Sequence, residues 1–175
     1  MPTEWYEVVQ GETLETGDIF FNCPIFSPRF PEDPLDVVSE VDQQDYDVVV
    51  LSQSCDLVVG REKLTHVVLC PIITRSEIDQ NQSHPLSNPG ALKKAVQNKE
   101  PAFFVLEVSD HPQVRRELSV VHFRQVFTLP VTFLRRVATE QGNRLRLRPP
   151  YKEALASRFA AFFARVALPQ DIRID

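Results

Sequence analysis

Long apolar runs, a secretory signal and cysteine pairs are all missing from this sequence of 175 residues. No apolar run approaches the ~20 residues of a membrane-spanning helix, so we expect no membrane association. The first ten residues, MPTEWYEVVQ, lack the basic-then-apolar pattern of a signal peptide, which favours a cytoplasmic location. The three cysteines form no closely spaced pair. We therefore expect free thiols, no structural metal and no cofactor.

Basic residues are almost missing from the first third of the chain. Residues 1–60 hold 13 acidic residues and one basic residue, Arg29, whereas residues 61–175 carry a net charge of +7. Either the two parts face each other and neutralise, or the molecule presents one acidic and one basic face to partners. The candidate binding residues are Asp33, Asp36, Glu40, Asp42 and Asp45 in the acidic part, and Arg135, Arg136, Arg144, Arg146 and Arg148 in the basic part. RNA is an alternative ligand of the arginine-rich strand.

Two near-continuous apolar runs lie close together in the middle of the sequence. Asp47–Leu51 and His66–Ile73 are rich in valine, leucine and isoleucine, which predicts adjacent buried strands. Further strands are predicted at 19–21, 103–108, 118–129 and 144–148, and short helices at 91–99 and 131–139. Together these segments predict one domain over residues 1–175, with a six-stranded core at about 17–148.

The segments on either side of this core have distinct compositions. Residues 24–46 contain four prolines among acidic residues, which predicts a long irregular loop. Residues 151–168 place apolar side chains at helical spacing and predict an amphipathic helix. Its apolar stripe consists of Leu155, Phe159, Phe162, Phe163 and Val166. We expect this helix to pack on one end of the core, with docking to another chain as the alternative.

One part of the chain resembles the MazF/PemK family of toxin ribonucleases. The matching segments are Gly17-Asp18-Ile19, Val49-Val50-Leu51-Ser52, and Val67-Val68-Leu69-Cys70-Pro71 followed by Thr74. They cover roughly residues 17–75, under half of the chain. The resemblance implies an SH3-like β-barrel, so the expected fold is β-rich α+β, with an inserted short helix and a C-terminal amphipathic helix packed on the barrel.

The catalytic positions of that family are not matched here. The position of the family's catalytic arginine falls on Tyr46, followed by Asp47 where the family has proline. The position of its catalytic serine or threonine falls on Ile73. A ribonuclease of this type needs a cation and a proton-transferring group. We therefore expect a non-catalytic protein–protein interaction module, accessory to a bacterial defence or toxin–antitoxin-like system, with its partner protein encoded nearby.

Two enzymatic alternatives are also considered. One is an endoribonuclease that uses relocated residues such as Thr74 and Arg75. The other is a cysteine enzyme in which Cys55 is the nucleophile and His66 or His122 is its base. The surrounding string, residues 52–56, also fits a turn whose polar side chains satisfy backbone groups.

Overall fold

A computed structural model of the chain describes residues 4–33, 35, 37 and 40–164. Within these residues the strands are Tyr6–Val9 (β1), Asp18–Arg29 (β2), Glu40–Val50 (β3), His66–Thr74 (β4), Phe103–Leu106 (β5), Ser109–His111 (β6), Val114–Arg116 (β7), Ser119–His122 (β8), Phe127–Pro130 (β9) and Arg144–Leu147 (β10). The helices are Arg75–Gln80 (α1), Pro89–Val96 (α2), Val131–Gln141 (α3) and Tyr151–Phe163 (α4). No helix in these ranges combines the length and apolarity needed to cross a membrane.

The strands form a curved antiparallel sheet in the order β1-β10-β2-β3-β4-β8-β5, with β9 also paired to β4. β6 and β7 form a separate hairpin. The hydroxyl of Tyr6 in β1 donates a hydrogen bond of 2.7 Å to the carbonyl of Glu107, the residue after β5. The two ends of the strand order therefore approach each other. The fold is β-rich α+β with a barrel-like sheet, which confirms the predicted fold class. Its SH3-like identity stays a prediction.

The predicted pair of central strands is confirmed. Val48 lies opposite Pro71, and Val50 lies opposite Leu69, in the β3–β4 ladder. Side chains of β3 alternate between two apolar clusters, since Val48 and Val50 belong to one and Val49 belongs to the other. Both faces of this part of the sheet are covered, which explains why these strands are continuous apolar runs.

Helices α3 and α4 cover the two faces. α3 places Leu134 and Ala138 in one cluster, while α4 places Leu155 in the other. The ring of Phe159 meets Phe123 edge to face at 5.6 Å. Leu155 is fully buried, and such a side chain contributes about 2 kcal/mol. Phe159 and Phe162 are half-buried and Phe163 is 53% exposed, so the predicted stripe on α4 is covered only in part. Residues 165–168 of the predicted helix, Val166 among them, lie outside the described residues.

The predicted irregular loop at residues 24–46 is wrong for residues 24–29 and 40–46, which are strands. β2 and β3 continue through it as a ladder from Pro24 opposite Asp45 to Arg29 opposite Glu40. Proline fits a strand where its missing N–H faces away from the paired strand. Pro24 and Pro28 lie four residues apart, so they share one orientation along β2. Their spacing is therefore compatible with an open strand edge.

Several short elements also differ from the prediction. The single predicted strand at 118–129 is two strands, β8 and β9, which pair with different parts of β4. β1, α1 and the β6–β7 hairpin were not predicted. These elements have six residues or fewer, too few for periodicity to be recognised.

Candidate interaction surface

The outer part of the β2–β3 hairpin extends away from the core, and we call residues 24–45 the arm. Its root is anchored by Ile25, which is buried in the apolar cluster beneath α3. From Phe26 to Asp45, every described residue except the half-buried Pro31 is exposed. The paired part of the arm is about 17 Å long, at about 3.3 Å per residue. The arm is therefore a two-stranded projection with little packing of its own.

One face of the arm is apolar. In the ladder Phe26 lies opposite Gln43, and Pro28 lies opposite Val41. Opposed residues and residues two apart point to the same face, so Phe26, Pro28 and Val41 share one face. The exposed large apolar side chains of the arm are Phe26 (46%), Phe30 (77%), Leu35 (90%), Val37 (85%) and Val41 (62%). Such a concentration of exposed apolar groups is typical of an interaction site.

Carboxylates surround this apolar face. Arg29, the arm's single basic residue, forms ion pairs with Glu40 and, at 2.6 Å, with Asp42. Asp33 accepts a hydrogen bond from the backbone amide of Leu35 at 2.9 Å. No ion pair reaches Asp33 or Asp45 within the described part of the chain. The predicted residue Asp36 lies outside the described residues.

A groove of about 480 Å³ continues the surface at the root of the arm. It is lined by Phe21, Asn22, Pro24, Phe133, Arg136, Val137, Glu140 and Gln141. The ring of Phe26 meets that of Phe133 edge to face at 5.8 Å. The guanidinium of Arg136 lies 5.2 Å from the centre of the Phe133 ring. The apolar face of the arm and the groove beside α3 therefore form one surface, with Arg136 at its border.

The predicted arginine face of β10 is enclosed in the protein. Arg144 is 0% exposed and Arg146 is 7% exposed. Both bind Asp18, which lies opposite Arg146 in the β10–β2 ladder. Asp18 Oδ2 accepts from Arg144 Nε at 3.2 Å and from Arg146 Nη2 at 3.0 Å. The expectation of an outward-facing set is corrected for these two arginines, because a buried carboxylate is their partner.

A carboxylate also engages two of the three remaining arginines. Arg135 pairs with Glu62 and donates to the carbonyl of Leu57 at 3.0 Å. Arg148 pairs with Glu4 at 2.6 Å. The five predicted arginines therefore do not form one surface for RNA phosphates. Arg136 is the member that lies at the arm.

Gly17 and Asp18, the start of the family resemblance, have structural roles in this chain. Gly17 has a φ of 86°, and a Cβ there would lie 2.9 Å from the Cβ of Leu147. Asp18 holds the two buried arginines of β10. A glycine is needed here because β10 passes so close to the turn before β2.

Tyr46 and Ile73, at the family's catalytic positions, do come together in the fold. With Thr74 they line a cleft of about 360 Å³ between β3 and β4. The acidic residues Asp45, Asp47 and Glu77 line the same cleft, and none of its described lining residues is lysine or arginine. Carboxylates repel phosphate, so this cleft is poorly suited to bind RNA.

The relocated residues of the ribonuclease alternative are engaged in local structure. Thr74 precedes α1, where its Oγ1 accepts from the Glu77 amide at 3.2 Å. The Glu77 carboxylate accepts in return from the Thr74 amide at 2.7 Å. This reciprocal pair is a capping box. Arg75 pairs with Asp79 one turn along the helix at 2.6 Å. Both residues therefore support the start of α1.

Cys55 lies exposed in a short helical turn, Ser54–Asp56. Its Sγ is 3.6 Å from the side-chain oxygen of Gln53 and 3.7 Å from that of Asp56. Its described contacts include no histidine that could act as a base. Ser52 Oγ accepts from the amide of Val68 at 2.9 Å. Ser54 Oγ likewise accepts from the amide of Thr16 at 3.0 Å. The contacts thus fit the turn interpretation of this string.

The other two cysteines are buried in separate apolar clusters. Burial raises the pKa of Cys23 to about 12, with a further contribution from the charge of Asp45. Burial alone raises the pKa of Cys70 to about 12. Both thiols therefore stay protonated. Among the described residues, no group of three or more histidine, cysteine or acidic side chains is arranged to hold a metal ion.

Similarity to known proteins does not identify this surface. No protein-family model, curated protein or solved structure matches the chain. The resemblance to the MazF/PemK family therefore stays a prediction. The function has to be argued from the arm and its neighbours.

Sequence reasoning found the acidic residues of the arm but missed its apolar ones. A signal was present, since Phe26 and Phe30 stand in a proline-rich acidic segment that predicts exposure. A large apolar residue in a segment predicted to be exposed is informative, because it predicts an unburied contact surface.

Proposed function

We propose that this protein is a non-catalytic protein–protein interaction module that binds its partner through the arm. The observation that carries the proposal is the arm itself, a projection whose apolar face and tip are exposed although the core is complete without them. Exposed phenylalanine, leucine and valine side chains lower solubility unless another surface covers them. Binding of a partner protein removes that apolar area from water.

The chemistry of the remaining candidate sites supports the same proposal. The cleft at Tyr46 and Ile73 presents carboxylates where a ribonuclease needs a cation. The thiol of Cys55 has no described histidine contact. The resemblance over residues 17–75 adds a finer proposal, that the protein is an SH3-like barrel of the MazF/PemK type, accessory to a bacterial defence or toxin–antitoxin-like system, with a partner encoded nearby.

The proposal is tested by co-expressing the tagged protein with the products of its neighbouring genes and measuring which of them co-purify. The variant Phe30→Ser/Leu35→Ser/Val37→Ser removes the exposed tip of the arm and touches no buried residue. We expect it to lose the partner, because the apolar contact area is lost.

A matched control keeps the number of exposed apolar substitutions the same. The variant Val58→Ser/Val59→Ser/Val96→Ser changes three exposed valines away from the arm, and we expect it to retain the partner. Equal recovery of a partner by the wild-type protein and the Phe30→Ser/Leu35→Ser/Val37→Ser variant would refute binding through the tip of the arm. Cleavage of a mixed RNA pool that is abolished by Arg75→Ala would instead establish the ribonuclease alternative.

A further inference from the structure

The arm combines a strong negative charge with an open apolar face, and this combination specifies its partner. The arm, residues 24–45, contains six acidic residues and one basic residue. Arg29 engages Glu40 and Asp42. Asp47, just beyond the arm, pairs at 3.0 Å with Arg116 of the body of the protein. The rest of the arm's described carboxylates have no cationic partner, so the arm carries an uncompensated negative field into solvent.

We infer that the arm binds a basic amphipathic segment of another protein, with an apolar strip flanked by lysine or arginine. This inference rests on the proposed function and names the chemistry of the partner. The apolar strip would cover the face formed by Phe26, Pro28 and Val41. The flanking cations would lie near Asp45 at the root and Glu32 and Asp33 at the tip.

The groove beside α3 supplies an anchor site at one end of this surface. Its volume of about 480 Å³ lies in the range of small-molecule pockets and leaves room for one large apolar side chain. The Phe133 ring forms part of its wall and also contacts Phe26. An aromatic side chain of the partner segment fits this position, because a few buried anchors of this kind carry most of the affinity of an interface.

The geometry favours docking on the face of the arm over addition of a strand to its edge. Pro24 and Pro28 remove two backbone donors from the open edge of β2. The other strand, β3, carries three exposed acidic residues along this part of its length, Glu40, Asp42 and Asp45. Charged side chains on an edge strand oppose pairing with a further strand.

The same charge disfavours three other occupants. Nucleic acid is repelled by the carboxylates of the arm. Anionic lipid surfaces are repelled for the same reason. The arm of a second copy of this chain carries the same negative charge, so contact between two arms brings like charges together.

The inference is tested with two designed peptides of about 12 residues, a length that spans about 17 Å as a helix. One peptide places leucines on one face and lysines on the other, and its partner peptide replaces every lysine by glutamate. Binding of each labelled peptide to the full chain is measured by fluorescence anisotropy at low and high salt. We expect only the lysine peptide to bind, and we expect its binding to weaken at high salt because ions screen the charges.

Two charge variants make the measurement specific to the arm. The arm variant is Asp33→Asn/Glu40→Gln/Asp42→Asn/Asp45→Asn, and the control variant is Glu12→Gln/Glu107→Gln/Asp110→Asn/Glu153→Gln. Both remove four exposed carboxylates, so their net charges are equal. We expect the arm variant to bind the lysine peptide about tenfold more weakly than wild type, and the control variant to bind it within about twofold.

Equal weakening by the two charge variants, or equal binding of the glutamate peptide, would overturn the inference. Self-association of the wild-type chain that the arm variant abolishes would also overturn it, since the occupant would then be a second copy. The proposed function fails separately. One outcome is a neighbouring gene product that the Phe30→Ser/Leu35→Ser/Val37→Ser variant loses but the four-carboxylate arm variant retains. This outcome refutes the inference of a basic partner and leaves the proposed function standing. A product retained by both variants refutes the arm as an interaction surface.

Discussion

Charged residues occur in two contrasting regions of this protein, the enclosed cluster around Asp18 and the exposed arm. In the cluster, the carboxylate of Asp18 and the guanidinium of Arg144 are both 0% exposed and bound to each other. In the arm, the side chains of Arg29 and Glu40 pair in the same way but are 60% and 62% exposed. The residue types and their contacts are alike, and the difference lies in their access to water.

That difference assigns the two regions to different tasks. A buried charge without its partner costs several kcal/mol, so the cluster fixes how β10 and the turn before β2 come together. An exposed pair contributes little, roughly 0–1 kcal/mol, because water solvates either charge when the pair opens. The charges of the arm are therefore available to an external partner, whereas those of the cluster are committed to the fold.

The largest effect is expected from breaking the buried cluster. Asp18→Asn leaves two arginines enclosed without their shared carboxylate, and we expect the free energy of unfolding to fall by about 3–5 kcal/mol. Urea unfolding followed by circular dichroism measures it. Asp42→Asn in the arm is the matched control, with an expected change below about 0.5 kcal/mol. Equal unfolding midpoints for the two variants would remove the distinction between the regions.

A smaller effect is expected from two half-buried histidines that flank Phe103. His122 stacks on this ring at 4.9 Å, and His84 lies 5.8 Å from it. Burial lowers the pKa of both histidines. Charges on His84 and Arg124 lower the pKa of His122 further. The fold therefore favours the neutral imidazoles, while the unfolded chain titrates near a pKa of about 6.5.

The sign of the pH dependence follows from these directions. Below pH ~6.5 the unfolded chain binds protons that the fold resists, so stability is present above that value and falls as the pH drops towards the lowered folded pKa. The Nδ1 of His84 accepts from the amide of Leu86 at 3.1 Å, and His84→Asn can keep that bond without titrating. We expect this variant to flatten the decline in urea midpoint with falling pH.

A control histidine has the same local hydrogen bond but is exposed. His111 Nδ1 accepts from the amide of Gln113 at 3.3 Å. We expect His111→Asn to leave the decline as steep as in the wild-type protein. If both variants flatten the decline in urea midpoint equally, burial beside Phe103 is not the cause of the pH dependence.

The smallest effect on stability is expected at the tip of the arm. Phe30→Ser/Leu35→Ser/Val37→Ser removes three exposed apolar side chains, and each substitution should change the free energy of unfolding by less than about 0.5 kcal/mol. Ile25→Ala at the buried root is the contrasting variant, with an expected loss of about 2–5 kcal/mol. A triple variant as unstable as Ile25→Ala would mean that the tip packs on the body.

Local pattern was enough to predict the central strands and several helices. The apolar runs of β3 and β4, the proline and glycine that flank α3, and the helical spacing in α4 are properties of neighbouring residues. The elements form where these patterns occur. The orientation of β10 was not a local property. Arg146 binds Asp18, 128 residues away in the sequence, and the strand alternation alone does not say which face meets a carboxylate.

The candidate site was predicted only in part, again because the sequence shows local patterns but not contacts between distant residues. Negative charge is visible in composition, so the acidic residues of the arm were found. The ladder that orders them was missed, because prolines are counted locally as loop signals while their orientation depends on the paired strand. Only the cross-strand register brings Phe26, Pro28 and Val41 to one face.

The pairing of β1 with β10 has a consequence for the order of folding. Tyr6 lies opposite Leu147, so the sheet closes only after residue 147 has been synthesised. Contacts of such long sequence separation form slowly, whereas the β2–β3–β4 meander joins strands that are close in sequence. We expect pulse-labelled hydrogen exchange during refolding to protect β3 and β4 amides before those of β1; simultaneous protection would refute this order. Until β10 is made, β2 lacks its neighbour beside Asp18 and Ile19. Fragments that end before residue 144 should therefore aggregate rather than fold, because this strand edge stays unpaired.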